Sequence, residues 1–405
     1  MILHIDLDCF FVSAARIKDK TLIGKNVVVV NGSADDNEKI KEENGVVLSA
    51  GYESRKFGIK SAMPLKHAKT LCKNLIVVKA DHSFYKELSI KLYKFLYTFT
   101  PDIEQYSIDE FFLDLSGINV KNGPLKFAEF LQNEILKIFN LPVSIGISDA
   151  KYIAKLATDL AKPFGIKMIN SDELDSTLKN VDIVKFPGVG KSMLKRLNKF
   201  GIFTLGDVKK VKFIFEKFGK NGIKLYENIT GIGDNSLQIN RKRKSFSHSR
   251  TFKAVFDRNE IKRRILILCR YICFDVYKFG QNPTNYELKI RYSDRITLSG
   301  SITYRNKFYE NVLHEIMNDL FIKCDKFETK SIIYISVCVG EFTNRAEQNL
   351  FSEIKQNNTE IDKAVHKIRE KYGIDSLLFA KEINDKYCNF LEFHLKNILR
   401  KSFNL

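Results

Sequence analysis

The sequence predicts an α+β protein of several domains, and three observations carry that prediction. Through roughly the first 165 residues, segments of period-2 hydrophobicity alternate with segments of helical spacing, and acidic residues sit near the strand-like ends. From about residue 181 the texture changes to short helical pieces joined by glycine-containing turns. Residues 250–340 then read as strand, helix, strand, strand, helix, strand. At 405 residues the chain is long enough for roughly two to four domains, each with its own core.

Each element follows from its residues. "ILHIDLD" alternates, with His4, Asp6 and Asp8 on one face and Leu3, Ile5 and Leu7 on the other, and "CFFVSAARI" begins a helix. "NVVVVNG" and "GVVLSAGYE" read as strands joined by the polar, mostly acidic insertion at 34–44. "MPLKHAKTLC" and "DHSFYKELSIKLYKFLYTF" have helical spacing. "YSIDEFFLDLSG" and "LPVSIGISDA" are strands flanking the amphipathic helix "PLKFAEFLQNEILKIF". "FPGVGKSMLKRLNKFGIFTLGDV" carries PGVG between two helical pieces, with Gly201 closing the second. Residues 235–249, polar, basic and without apolar periodicity, read as a linker. "RTFKAVF", "TNYELKIRYSD", "RITLSGSITYR" and "KSIIYISVCVG" are the strands of the last module. "NEIKRRILILCRYICFDVYKF" and "YENVLHEIMNDLFIKC" are its helices, and "EIDKAVHKIREKYG" adds a helix in the tail. One sheet face of this module is expected to be free of helices.

Composition narrows the class. The apolar fraction is 44%, and no run of about 18 apolar residues indicates a membrane span. "MILHIDLDCF" has neither a basic start nor a long apolar stretch, so no signal peptide is expected. Seven cysteines without a CxxC pair suit a reducing, cytoplasmic setting, and Cys269 and Cys273 read as buried free thiols. The charge is uneven. Residues 1–180 hold 24 Lys+Arg against 23 Asp+Glu, residues 181–340 hold 31 against 15, and residues 341–405 hold 11 against 10. A folded region with one-sided positive charge suggests a polyanion partner, and nucleic acid fits better than a membrane because no amphipathic lipid anchor accompanies it.

"YSIDEFFLDL" sets two adjacent carboxylates, Asp109 and Glu110, in an apolar run. An unpaired buried carboxylate costs on the order of several kcal/mol, so something must offset the charge. Mg²⁺ takes hard oxygen ligands, commonly one or two carboxylates plus substrate phosphates. Two such ions about 3.5–4 Å apart can activate an attacking hydroxyl and stabilise a leaving oxygen. Asp6 on the first strand and Asp109–Glu110 at a later strand end fit that need, provided a turn brings the adjacent pair to one side. PGVG at 187–190 is similar to a helix–hairpin–helix loop, in which Gly188 and Gly190 let backbone N–H groups approach a phosphate and Lys191, Lys195 and Arg196 add charge.

Five blocks occur in order: "HIDLDCFFVSA", "SAGYESRKFGIKSAMP", "YSIDEFFLDLSG", "GISDAKYIAKLATDLAKPFGI" and "FPGVGKSMLKRLNKFGI". Together they resemble the Y-family translesion DNA polymerases, most closely the DNA polymerase IV branch, over about residues 1–380. The resemblance implies a right-hand polymerase with a palm at 1–10 and 76–165, small fingers at 11–75 and a helical thumb at 166–234. A linker at 235–249, a β-α-β-β-α-β little finger at 250–340 and a tail at 341–405 follow. It implies an error-prone enzyme that adds dNTPs to the 3′ end of a primer on template DNA, past damaged bases and without proofreading, as a monomer using two Mg²⁺.

Position by position, the resemblance makes Asp6, Asp109 and Glu110 the catalytic metal ligands, with the Leu7 carbonyl added and Glu110 nearest the primer hydroxyl. Asp8 and Asp114 receive no metal role. Phe11 matches the steric gate, a flat ring that leaves no room for a 2′-hydroxyl. Cys9 falls where some relatives carry an aromatic residue. Tyr52, Arg55 and Lys162 match triphosphate ligands, with Ser49 nearby, and Pro163 helps fix the Lys162 loop. Arg241, Lys242, Arg243, Lys244 and Arg250 are expected to follow the DNA backbone, giving affinity rather than sequence preference. Gln348 to Phe351, in "EQNLF", is similar to the family's sliding-clamp peptide but one residue shorter in spacing. A non-catalytic DNA-binding repair accessory protein is the alternative for the same helical and basic modules. A nucleotide cyclase would share a metal-binding palm but would not need the basic block.

Overall fold

The structure is a computed structural model and describes residues 1–31, 45–118, 120, 122–239, 242–344 and 357–383. The chain divides into two compact units, Met1–Arg241 and Lys242–Leu405. Arg241, the insertion at 34–44, the segment Gln348 to Phe351 and the tail from 384 onward lie outside the described residues.

The first unit contains β1 (Ile2–Leu7), β2 (Val27–Asn31), β3 (Val46–Ala50) and β4 (Ile76–Lys79). These are followed by β5 (Ile103–Gln105), β6 (Glu110–Asp114), β7 (Val143–Ser148) and β8 (Ile166–Ile169). Among the described residues they form a five-stranded sheet in the order β5-β6-β1-β7-β8 and a three-stranded sheet in the order β3-β2-β4. The period-2 alternation of β1 decides what covers each face. Leu3, Ile5 and Leu7 join Phe111, Leu113, Val143, Ile145 and Ile147 in one apolar layer. The helices His82–Tyr97 and Gly123–Phe139 cover that layer with Leu88, Leu92, Leu96, Leu131 and Ile135.

The opposite face carries His4, register partner of both Phe112 and Gly146, and Asp6, register partner of both Glu110 and Ser144. The helix Lys151–Ala161 crosses this face, and Gly146 is what lets it come close. A Cβ on Gly146 would stand 2.0 Å from the Ala154 carbonyl oxygen and 2.4 Å from the Thr158 nitrogen. Below the helix, Thr158 Oγ1 meets His4 Nδ1 at 2.8 Å and donates to the His4 carbonyl at 3.2 Å.

Two strands fall elsewhere than the sequence suggests. Ile76–Lys79, expected at the start of the palm, pairs in parallel with β2 in the smaller sheet. Ile166–Ile169, expected at the start of the thumb, pairs in parallel with β7 as the edge of the larger one. Both are four residues long, too short for their period to show which sheet they join. Beyond β8, short helices including Leu174–Leu178, Lys191–Asn198, Lys212–Glu216 and Gly219–Thr230 enclose a separate core of Phe186, Leu197, Ile202, Phe215 and Ile229. The expected linker is not free at its start. Asn235 Oδ1 accepts from the Lys151 backbone, Gln238 N–H donates to Glu104, and Leu237 packs against Ile2, Phe112 and Ala154.

In the second unit β9 (Ser245–Val255), β10 (Asn282–Tyr292), β11 (Thr297–Thr303) and β12 (Ile332–Thr343) form an antiparallel sheet in the order β11-β10-β12-β9. β9 begins at Ser245 rather than 250, because its first residues alternate hydroxyls with Phe246 and His248 and show little apolar signal. The helices Arg258–Phe279 and Glu310–Cys324 pack on Phe246, Tyr286, Leu288, Ile290, Ile335, Val337 and Val339. The alternate residues Ser247, Ser249, Thr251, Glu287, Lys289, Arg291, Tyr334 and Ser336 form the other face. The tail helix Asn357–Tyr372 returns to the helical side of this unit. Buried pairs tie it there: Arg369 to Glu310 at 2.8 Å and Arg270 to Glu382 at 3.0 Å, with Tyr277 donating to Asp362. Cys269 and Cys273 are buried free thiols, and burial pushes both well above the usual thiol range.

Gly146→Ala should drive the helix Lys151–Ala161 off the sheet, since backbone atoms block the added methyl and cannot rotate aside. A loss of about 3 kcal/mol is expected, read as a lower urea midpoint of the first unit.

Candidate active site

The acids come together where β1 ends. Asp6 and Glu110 are direct partners across the β1–β6 ladder, so both project from one face. Burial, with the neighbouring Glu110, pushes the Asp6 carboxyl up to about 7 against the opposing pull of Lys162. Asp109 precedes the strand in a bend, and its carbonyl accepts from Leu7 N–H at 3.0 Å. Its carboxylate instead accepts from Ser107 Oγ at 2.5 Å. Among the described residues no three Asp, Glu, His or Cys side chains surround one point closely enough to cage a metal ion. The expected meeting of three acids is therefore reached by two of them, with Asp109 alongside and turned toward Ser107. Two carboxylates still suit a hard cation that brings water and phosphate oxygens as its other ligands.

One helix neutralises this acidic face. Lys162, which caps Lys151–Ala161, reaches Asp6 Oδ2 at 2.7 Å; Lys155 pairs with Glu110, and Lys151 pairs with Glu104 at 2.5 Å. Burial works against the Lys162 ammonium, but the Asp6 charge outweighs it and holds the pKa above its ordinary value. Burial, and then the charges of Lys155, Lys162 and Lys151, keep His4 neutral well below the usual imidazole range. Sequence reading singled out only Lys162. The spacing of Lys151, Lys155 and Lys162, four and seven residues apart, puts them along one side of a helix and is the signal that reveals the other two.

Phe11 stands in the helix Phe10–Lys18 and stacks on Tyr85 with centroids 4.3 Å apart and planes 12° from parallel. Tyr85 is itself buried, so the Phe11 ring has a rigid backing that no local pattern announces. Ser49 lies buried on β3. The one-turn helix Tyr52–Arg55 follows, with the Arg55 guanidinium 5.0 Å from the centre of the Tyr52 ring and its Nε donating to the Ala50 carbonyl. Tyr52 donates to Asp8, and burial followed by the Asp8 charge raises its phenol above the ordinary value.

Of the expected nucleic-acid contacts, Gly188 turns the PGVG loop with φ +97°, a conformation that requires glycine, and Gly190 caps the helix Lys191–Asn198. A Cβ on Gly190 would meet nothing within 4 Å, which leaves the backbone there open to an approaching group. Lys191 and Lys195 are exposed, while the Arg196 guanidinium lies 4.0 Å from the centre of the Phe218 ring. Lys242, Arg243 and Lys244 are exposed ahead of β9, with Arg243 over Phe246. Arg250 pairs in register with buried Ile335, so it belongs to the helix-bearing side of β9, not to the face of Ser249 and Thr251.

Known proteins share these parts. Residues 5–159 match the impB/mucB/samB family, residues 243–350 its C-terminal domain, and residues 171–202 the HHH motif of the IMS family. The chain is 32% identical to DNA polymerase IV of Streptococcus sanguinis (strain SK36) over 79% of its length and 91% of that protein. It is 29% identical to DNA polymerase IV of Bacillus anthracis over 93% of its length and 92% of that protein. A solved Y-family DNA polymerase chimera superposes with a TM-score of 0.73 at 23% identity, covering 85% of this chain and 99% of its own. An insertion ternary complex of Dbh DNA polymerase gives a TM-score of 0.59 at the same identity and coverage, and both likenesses show the shared fold. Since the acidic strand ends, the helical hairpin and the four-stranded C-terminal module all fall within the matched stretches, the chain belongs to the Y family of translesion DNA polymerases, in its DNA polymerase IV branch.

Proposed function

We propose that this translesion DNA polymerase adds dNTPs to a primer 3′ end by nucleotidyl transfer assisted by two Mg²⁺, copying past damaged bases with low fidelity and without proofreading. The observation that carries the reading is the pairing of Asp6 with Glu110 on one face of adjacent strands, each held by an ammonium group from a single helix. Asp6, Glu110, Asp109 and the Leu7 carbonyl are the groups that would hold the cations. A bound divalent ion supplies charge neutralisation at the α-phosphate and lowers the pKa of the attacking hydroxyl. The chain's own residues do the rest. Lys162, Arg55 and Tyr52 hold the triphosphate, which fixes the α-phosphorus in line with the primer hydroxyl. Phe11, backed by Tyr85, fills the space a 2′-hydroxyl would need.

DNA contact is proposed for the PGVG loop with Lys191, for Arg241 to Lys244, and for the helix-free face of the second unit's sheet. There Lys289 and Arg291 stand among Ser247, Ser249, Thr251 and Ser336. Such hydroxyls and cations suit phosphate oxygens and read no sequence. A role for Arg250 fits less well with its side of β9. A sliding clamp as partner rests on the sequence of Gln348 to Phe351 alone.

Three outcomes test the reading. Asp109→Ala and Glu110→Ala should each lower primer extension by about 10³-fold or more while primer–template affinity persists; extension at the unaltered rate refutes the ligand assignment. Phe11→Ala should raise ribonucleotide insertion relative to dNTP by about 10²-fold, and an unchanged sugar preference would remove the gate. Because Asp6 holds its proton up to about pH 7, a cation must displace that proton at lower pH. Mn²⁺ affinity measured by electron paramagnetic resonance should therefore fall by up to about tenfold per pH unit below 7 and level off above it. A flat profile would show that no proton is displaced.

A further inference from the structure

Asp8 lies two residues beyond Asp6 and has no place among the metal ligands, yet three elements meet on its carboxylate. Tyr52 Oη donates to Oδ1 at 3.0 Å, Ser144 Oγ lies 3.0 Å from both Oδ1 and Oδ2, and Phe164 N–H donates to Oδ2 at 2.7 Å. The backbone of Asp8 is tied down as well: its N–H donates to the Pro142 carbonyl at 2.9 Å, and its carbonyl accepts from Ser13 Oγ at 2.7 Å. The residue is 2% exposed.

A buried carboxylate is poor value for stability alone, because desolvation cancels much of what its hydrogen bonds contribute. It is a strong organiser of geometry, since hydrogen bonds to an ionised acceptor are short and roughly twice as strong as neutral ones. The donors are not arbitrary. Tyr52 begins the helix that carries Arg55, Phe164 follows Lys162 by two residues, and Ser144 is the register partner of Asp6. Lys162 itself reaches the Asp6 carboxylate. One carboxylate thus links the strand of Asp6, its neighbour β7 and both segments that carry candidate triphosphate ligands.

We propose that Asp8 is a positioning residue for the incoming nucleotide: its carboxylate sets Tyr52 and the Lys162 loop at fixed places beside the end of β1, so that the triphosphate cradle is formed before nucleotide arrives. The proposal rests on the reading that Tyr52 and Lys162 hold the triphosphate. The Asp8 carboxylate is taken up by Tyr52, Ser144 and Phe164. Its effect passes through the groups it orients, as with outer residues that orient the ligands of a catalytic site.

The test uses the full chain with primer–template DNA and single-turnover incorporation over a dNTP titration, with DNA affinity and melting temperature measured in parallel. Asp8→Asn keeps the shape and loses the charge, and it carries the test if Asp8→Ala does not fold. The half-saturating dNTP concentration should rise about tenfold in Asp8→Asn, with DNA affinity within about twofold of the unaltered chain. Combining Asp8→Asn with Tyr52→Phe should give less than the product of the separate effects, because Tyr52→Phe removes the hydrogen bond that Asp8→Asn weakens by taking away the acceptor's charge. The ratio of ribonucleotide to deoxynucleotide insertion should stay constant, since Phe11 is backed by Tyr85 and not by Asp8. A purely structural Asp8 would lower the melting temperature and the active fraction but leave half-saturation of the active molecules unchanged, and that result overturns the proposal. Independent effects of Asp8→Asn and Tyr52→Phe overturn it too. Tyr52→Phe and Lys162→Ala alone separate the two ideas. If neither alters half-saturation, the triphosphate reading falls and the proposal falls with it. If both do and Asp8→Asn does not, only the proposal falls.

Discussion

A row of ammonium groups against a row of carboxylates is the interaction on which the acidic end of the sheet depends. Glu104, Glu110 and Asp6 come from three neighbouring strands, and Lys151, Lys155 and Lys162 answer them from one helix. Acids side by side on adjacent strands repel, and burial raises the cost of keeping each one charged. The helix offsets both penalties only if it lies against the sheet, and Gly146 supplies the room. Burial, and then the same ammonium groups, keep His4 neutral beneath them. Close packing and charge are therefore one constraint here: displacing the helix would unpair several buried ions together.

This arrangement also accounts for the division of labour within the sheet. One face is apolar and packs against two long helices. The other face holds polar groups in register, so the positions of Asp6 and Glu110 follow from ladder hydrogen bonds rather than from loop conformation. The side proposed for the nucleotide is built differently, from an aromatic stack and from a one-turn helix and a loop after Lys162 that are joined through the carboxylate of Asp8. The second unit repeats the two-faced logic in another chemistry. Its apolar side takes two helices and then the tail helix, clasped by buried Arg–Glu pairs, while hydroxyls, Lys289, Arg291 and Glu287 occupy the opposite side.

Much of this was legible beforehand. Alternation in "ILHIDLD" placed Asp6 opposite the apolar layer, and the strand–helix order of residues 250–340 appeared as read, apart from an early start at Ser245 where serines hid the alternation. Other features were invisible because they join residues distant in the chain. Examples are the clasp of Gln238 on Glu104, the membership of Ile76–Lys79 in the smaller sheet, the backing of Phe11 by Tyr85 and the side of β9 on which Arg250 falls. Asp109 is the instructive case: adjacency to Glu110 suggested a shared task, and the structure adds that the residue sits in a bend where one carboxylate oxygen accepts from Ser107.

By itself, then, the sequence determined the α+β class, the acids at the strand ends, the glycine loop ahead of Lys191 and the basic centre of the chain, while the gate role of Phe11 came from the family resemblance. These depend on residue type and local period, which a linear string records in full. Only the tertiary structure decided which carboxylates face one another, which lysine answers each of them, and that Asp8 gathers Tyr52, Ser144 and Phe164. Those outcomes depend on strand register, set by pairs such as Asp6 and Ser144 that lie more than a hundred positions apart, and on how closely a helix can approach a sheet, set by the room at Gly146.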